Sequence, residues 1–143
     1  MSLSNNYFHY WVDSKKDEEI KKFQECIDSY IYFKKDSLLI TNQLIRENRN
    51  FQAPKLLKTF LLLFSRDINK LTLAKDTIKS ISVDNINNHF HKYLEVAKLW
   101  INNDLKNLLN KLELIIKENP KDIFAIRLFH FNNIFLGIDS KFL

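Results

Sequence analysis

The sequence predicts an all-α fold of about seven helices, set out as antiparallel helical hairpins in a single domain. Three observations predict it. One glycine and two prolines in 143 residues leave helices uninterrupted and make β-turns scarce. Few segments alternate polar and apolar residues, whereas apolar residues recur at three- and four-residue spacing along most of the chain. The stretch from Asn102 to Gly137 then reads as two apolar helices joined by Asn119-Pro120-Lys121-Asp122 and closed by the only glycine, the grammar of an α-helical repeat.

Residues 1–16 are polar and aromatic and read as an irregular lead-in, leaving 17–143 as the domain. Asp17, Glu18 and Glu19 place acid at a helix start, where the helix dipole favours it. Ile20, Phe23, Ile27, Tyr30 and Ile31 continue an amphipathic first helix to about Phe33, and Lys34-Lys35-Asp36 breaks it. Ser37 offers a cap for a second helix, with Leu38, Leu39, Leu44 and Ile45 facing inward, ending near Asn48-Arg49-Asn50. Phe51-Gln52-Ala53-Pro54 opens a third, since proline is tolerated in a first turn. Its Leu56, Leu57, Phe60, Leu61 and Phe64 cover more than one face, which predicts a central position.

Asp67 begins the fourth helix, carrying Ile68, Leu71, Ala74, Ile78 and Ile81. Asp84 is the expected cap of the fifth, whose apolar residues are Phe90, Tyr93, Leu94, Ala97, Trp100 and Ile101. The sixth runs from Leu105 to Glu118 behind Asp104, whose carboxylate can accept first-turn amides. Leu105, Leu108, Leu109, Leu112, Ile115 and Ile116 give it one broad apolar face. Pro120 ends it. Asp122 caps a seventh helix to about Leu136, and Gly137 stands where a left-handed C-terminal residue is wanted. Connections are short, which favours hairpins between neighbours.

The totals set bounds on function. A chain of 143 residues, 45% hydrophobic with 12 Phe, can bury one core and is not disordered by composition. The net charge of +5 raises the possibility of an anionic partner. The plainer source is codon bias, because Lys, Asn, Ile and Phe are abundant and Arg, the better phosphate fork, is rare. Cys26 stands alone, so no intrachain disulfide forms, and its apolar helical face makes it a small core residue. The first residues lack a basic run followed by an apolar one, and the longest apolar cluster, Leu56 to Phe64, is too short to span a bilayer. A cytoplasmic location is expected.

Residues 85–137 can be laid on the tetratricopeptide-repeat pattern in degenerate form. Asn103-Asp104-Leu105 takes the place of the usual Gly-Asp-Tyr turn, Leu108, Leu112 and Ile115 fall at second-helix packing positions, and Pro120 falls at the terminal proline. Lys92 and Glu95 occupy positions that normally carry Trp and Leu. The apolar stripe of that helix is instead Phe90, Tyr93, Ala97 and Trp100, the side that lines the groove in such repeats, so something is expected to pack there, most simply the preceding four helices. The expected architecture is thus a tetratricopeptide-repeat-like α-solenoid.

Pro120, Asp122, Ala125, His130, Phe135 and Gly137, in PKDIFAIRLFHFNNIFLG, follow the helix DLKNLLNKLELIIKEN. This run resembles the tetratricopeptide repeat protein 38 family. IKKFQECIDSYIYFKKD and ENRNFQAPKLLKTFLLLFSRD resemble that family's earlier segments. Asn48-Arg49-Asn50-Phe51 lacks the proline of the family's Asp-Pro-x-Phe turn, and Val83-Asp84-Asn85-Ile86 replaces its Thr-x-Arg-Glu. The resemblance implies a helical-repeat protein that binds other proteins, with no catalytic machinery to carry over. Family members are longer, which implies that this chain corresponds to their N-terminal portion.

Catalytic and metal chemistry find little support. His89 and His91 lie about 200° apart round a helix, so they cannot chelate one ion together. His9 sits in the lead-in, and His130 reads as a hydrogen-bonded packing residue of the seventh helix. No His-x-x-x-His or paired Cys suggests zinc, no glycine-rich loop suggests phosphate, and Glu18-Glu19 is ordinary helix-start charge. No catalytic residue, cofactor or metal is expected. Phe90, Tyr93 and Trp100 beside Lys92 and Lys98 could stack bases, but core packing is the plainer reading. The favoured function is a protein- or peptide-docking module, and the alternative is a basic helical nucleic-acid binder. The seventh helix is apolar nearly all round, so an exposed patch drawn from Ile126, Phe131, Ile134 and Phe142 is the expected surface for a partner or for self-association.

Overall fold

The computed structural model describes residues 11–32 and 36–142, with 135–142 as backbone alone. The helices are α1 (Asp17–Ile31), α2 (Ser37–Glu47), α3 (Ala53–Phe64), α4 (Ile68–Lys79), α5 (Asn88–Ile101), α6 (Leu105–Glu118) and α7 (Ile123–Phe142). No strand occurs among the described residues. Each helix packs on the next, and α3 also meets α1 and α5.

Caps decide where several helices begin. The Asp67 carboxylate accepts the Asn69 amide at 2.9 Å, Asp104 accepts Asn107 at 3.5 Å, and Asp122 accepts Ala125 at 3.0 Å. Two expected caps are displaced. Asp84 lies in a turn ahead of α5, and Asn87 does the capping, its Oδ1 accepting the Phe90 amide at 2.8 Å. Ser37 is already inside α2, where its carbonyl accepts the Thr41 hydroxyl at 2.7 Å. Gly137 does not end α7. The helix runs through it to Phe142, a placement that costs glycine only about 1 kcal/mol relative to alanine.

Left-handed turns fall to other residues. Asn103 has φ 58° and Arg66 has φ 55°. After α5, the Asn103 amide donates to the Trp100 carbonyl and the Asp104 amide to Leu99, both at 2.9 Å. That paired closure is the Schellman motif, and asparagine is the non-glycine residue that best tolerates its left-handed position.

The core is aromatic. Phe23 of α1, Phe60 of α3, Phe90 and Tyr93 of α5 and Phe124 of α7 surround Trp11, with ring centroids 5.4, 6.4, 6.5, 5.2 and 5.7 Å from the indole. Beside this cluster, Phe64 meets Tyr30, Trp100 and Phe131. The odd-numbered helices therefore converge on one aromatic mass. Arg127 of α7 donates to the Ile31 carbonyl at the end of α1 at 3.1 Å and lies over the Tyr30 ring, so α7 also meets α1.

Three expectations need correction. The lead-in is irregular over residues 12–16 but supplies the centre of the core through Trp11, which has no exposed surface. The stripe Phe90, Tyr93, Ala97 and Trp100 is buried as expected, yet its cover comes from Trp11, α3 and α7 rather than simply from the preceding four helices. Leu39 and Ile68 face out, at 64% and 74% exposure. Helix α2 buries only a narrow face through Thr41 and Leu44, and Ile68 stands at the first position of α4 over a cleft. Between α6 and α7, Leu108, Leu112, Ile115 and Ala125 are buried, while Phe129 is half-buried.

Candidate functional site

The turns α3–α4 and α5–α6 lie side by side and enclose a cleft of about 300 Å³. Its walls are Leu62, Leu63, Leu71, Trp100, Ile101 and Leu105, and polar Arg66, Asp67 and Asn103 also line it, with Ile68 beside them. The sequence builds this local shape directly. Arg66 and Asn103 both turn the backbone left-handed, which reverses the chain in few residues and brings the N-termini of α4 and α6 to the same end. An apolar concavity with a few polar groups suits an apolar side chain held in a fixed orientation.

A second cavity, about 280 Å³, is polar. Asp13, Asn50, Gln52, Ser82, Asn85 and Ile86 line it. The two Asp13 carboxylate oxygens accept the Gln52 and Ala53 amides, each at 2.8 Å. Burial pushes the Asp13 carboxyl above its ordinary value, against those two hydrogen bonds. Gln52 is buried and satisfied: its side-chain amide donates to the Asn50 carbonyl at 3.1 Å, and its Oε1 accepts the Ser82 amide at 2.9 Å.

A buried acid pair lies elsewhere. The Tyr93 hydroxyl donates to the Asp122 carboxylate, and Asp122 has no exposed surface. Burial raises Asp122 above the usual carboxyl range. Burial and then the neighbouring carboxylate raise Tyr93 well above the usual phenol range. Burial also pushes Cys26 to about 11 and Tyr30 to about 12. Burial favours the neutral form of each of these groups, and none lines a cavity described above.

The motif residues are divided by the structure. Pro120 is exposed in the α6–α7 turn, while Asp122 caps α7 and Ala125 is buried. His130 is exposed, with its ring beside Phe129 at 6.0 Å, not a buried packing residue. Gly137 lies within α7, and the Phe135 side chain lies outside the described residues. Of the expected docking surface, Ile126 is half-buried, and Phe131 is half-buried against Phe64 and Trp100. Ile134 is 60% exposed, and the Phe142 side chain lies outside the described residues. Phe90 and Tyr93 are sealed in the core, where no base can stack on them, and Lys92 pairs with Glu118 at 2.6 Å.

Sequence reasoning missed Trp11 and Asp13. A signal was present: α3 starts at Ala53-Pro54 behind Gln52, a residue with no capping preference, so its first amides needed an acceptor from elsewhere. Among the described residues no group of three or more His, Cys, Asp and Glu could hold a metal ion, and no helix is long and apolar enough to cross a membrane. No protein-family model, no curated protein and no solved structure matches the chain.

Proposed function

We propose that the chain is a tetratricopeptide-repeat-like interaction module, acting in the cytoplasm without catalysis, that docks a peptide bearing one large apolar side chain. The observation that carries this reading is the cleft between the α3–α4 and α5–α6 turns. It has an apolar lining, polar Arg66, Asp67 and Asn103, and room for one or two large side chains. Sequential packing of each helix on the next supports the repeat-like reading. So do the caps Asp104 at the start of α6 and Asp122 at the start of α7, with Pro120 in the turn between these helices, as the resemblance implies. Exposed Ile134 supports a further reading of α7 as a surface for self-association.

The test is a peptide-display selection on the wild-type chain, followed by titration against Ile101→Glu. Selected peptides rich in Leu, Ile, Phe or Trp that lose about tenfold or more in affinity for the variant, equivalent to about 1.4 kcal/mol, support the reading. Peptides that bind both chains equally remove the cleft from consideration. The nucleic-acid alternative rests on the net charge of +5. It requires binding that weakens steeply with salt, and a flat salt response counts against it.

A further inference from the structure

We propose that the groove between α1, α3, α5 and α7 is itself a peptide site, selective for a large aromatic residue two positions before a carboxylate. In this structure the chain's own Trp11-Val12-Asp13 occupies it. The proposal concerns a different surface from the cleft, and either can fail alone.

The observations concern how the resident segment is held. Residues 12–16 belong to no helix or strand. Trp11 and Asp13 are the deepest anchors of the segment, and Val12 between them packs against the core as well. The indole of Trp11 enters a box whose nearest ring is that of Tyr93, stacked at 5.2 Å. The Asp13 carboxylate takes the Gln52 and Ala53 amides at 2.8 Å each, at the start of a helix whose next residue, Pro54, has no N–H to offer. An aromatic anchor in a desolvated box, with a carboxylate captured by backbone amides, is how a groove recognises an extended peptide.

A second observation separates a seated ligand from ordinary core. The Trp11 indole N–H is buried and has no hydrogen-bond partner. Buried indole N–H groups normally find one, so the resident segment fits the groove imperfectly and leaves scope for a competitor that satisfies this donor's surroundings better. The segment is also rooted on a tight bend just before α1, where the Ser14 hydroxyl donates to Glu19 at 2.5 Å and the Lys16 amide donates back to Ser14 Oγ at 3.1 Å. Between Trp11, which lies in a 3-10 turn, and the start of α1, residues 12–16 form no helix or strand, so releasing the segment leaves α1 intact. A competing peptide sees the groove only for the fraction of time it is open, and its apparent affinity falls by that fraction.

The probe is an acetylated, amidated and fluorescently tagged peptide of residues 11–16, Trp-Val-Asp-Ser-Lys-Lys, titrated by anisotropy into the full chain. The Trp11→Ala/Asp13→Ala chain is expected to bind it about tenfold or more tightly than wild type, because no resident competes. Replacing Trp by Ala or Asp by Asn in the peptide is expected to abolish that gain. A double variant that is helical by circular dichroism and binds no more tightly than wild type overturns the proposal. If the double variant does not fold, hydrogen exchange on the wild-type chain decides. The Gln52 and Ala53 amides are expected to exchange through a local opening that depends little on denaturant. Exchange of these amides only through global unfolding overturns the proposal.

Discussion

The Tyr93 hydroxyl donates to the carboxylate of Asp122, while the other oxygen of that carboxylate accepts the Ala125 amide at 3.0 Å. One buried side chain thus starts α7 and fixes it against α5. Replacing Asp122 by Ala leaves the Tyr93 hydroxyl buried and unpaired, at about 1–3 kcal/mol, and removes the cap, at about 0.5–2 kcal/mol. A urea melt of Asp122→Ala is expected to show a loss in that combined range. A loss below about 0.5 kcal/mol, the scatter of surface substitutions, would dissolve the link.

The same carboxyl predicts a pH dependence. Its pKa is raised in the folded chain above the ordinary value of 3.8, so the folded state holds the proton more tightly than the unfolded state. Its contribution to stability is therefore fully present below that ordinary value and is lost as pH rises through the folded value. Wild type is expected to lose stability relative to Asp122→Asn as pH rises from below 3.8 through the raised folded value. Asp13 is raised in the same direction and cancels in this difference. A flat difference, or one of opposite sign, would show that Asp122 is not desolvated.

Leu112 is fully buried between α6 and α7, while Leu114 on the same helix is 55% exposed. Leu112→Ala is expected to cost about 2–5 kcal/mol in denaturant melts. Leu114→Ala is expected to stay within about 0.5 kcal/mol of wild type. Equal effects of the two would contradict the packing of α6.

Gln52 joins the α2–α3 turn to the chain after α4 through the Asn50 carbonyl and the Ser82 amide. Gln52→Ala strands both partners and is expected to cost about 1–3 kcal/mol. Faster hydrogen exchange of the Ser82 amide is the site-specific signature. Unchanged exchange there, with full stability, would refute the bridge.

Asn103 holds a left-handed backbone at φ 58°. A β-branched residue there meets its own carbonyl, so Asn103→Val is expected to lose about 1–2 kcal/mol. Asn103→Gly is expected to match or exceed wild type in thermal melting. Equal melting of the Val and Gly variants would mean that the turn adapts.

Helix identity was legible because it rests on local pattern. The bounds of α6, Leu105–Glu118, follow from one aspartate, one leucine stripe and one proline. Capping was legible where a single candidate stood at the junction, as at Asp67 and Asp104, and misread where two competed, as with Asp84 and Asn87. Glycine at 137 looked like a stop, yet a stop needs the following residues to leave the helix, and here they continue it. The aromatic centre was the least legible. Trp11 lies just ahead of an irregular stretch with no apolar periodicity, and its place depends on rings from α1, α3, α5 and α7 at once. The cleft was hidden for a related reason, since it lies between two turns distant in sequence whose side-by-side placement no local pattern encodes.

The bond from Arg127 to the Ile31 carbonyl joins residues 96 apart, and the indole of Trp11 rests against Phe124. Most other helix contacts join neighbours in sequence, and each can form as soon as its two helices have been made. The middle of this protein cannot. During synthesis from the N-terminus, Trp11 and Phe23 leave the ribosome well before Phe124, the ring that completes their enclosure. Until α7 emerges, the nascent chain therefore carries formed hairpins around an open aromatic seam. The interval before α7 emerges is when a chaperone has most to hold and when aggregation competes most strongly with folding.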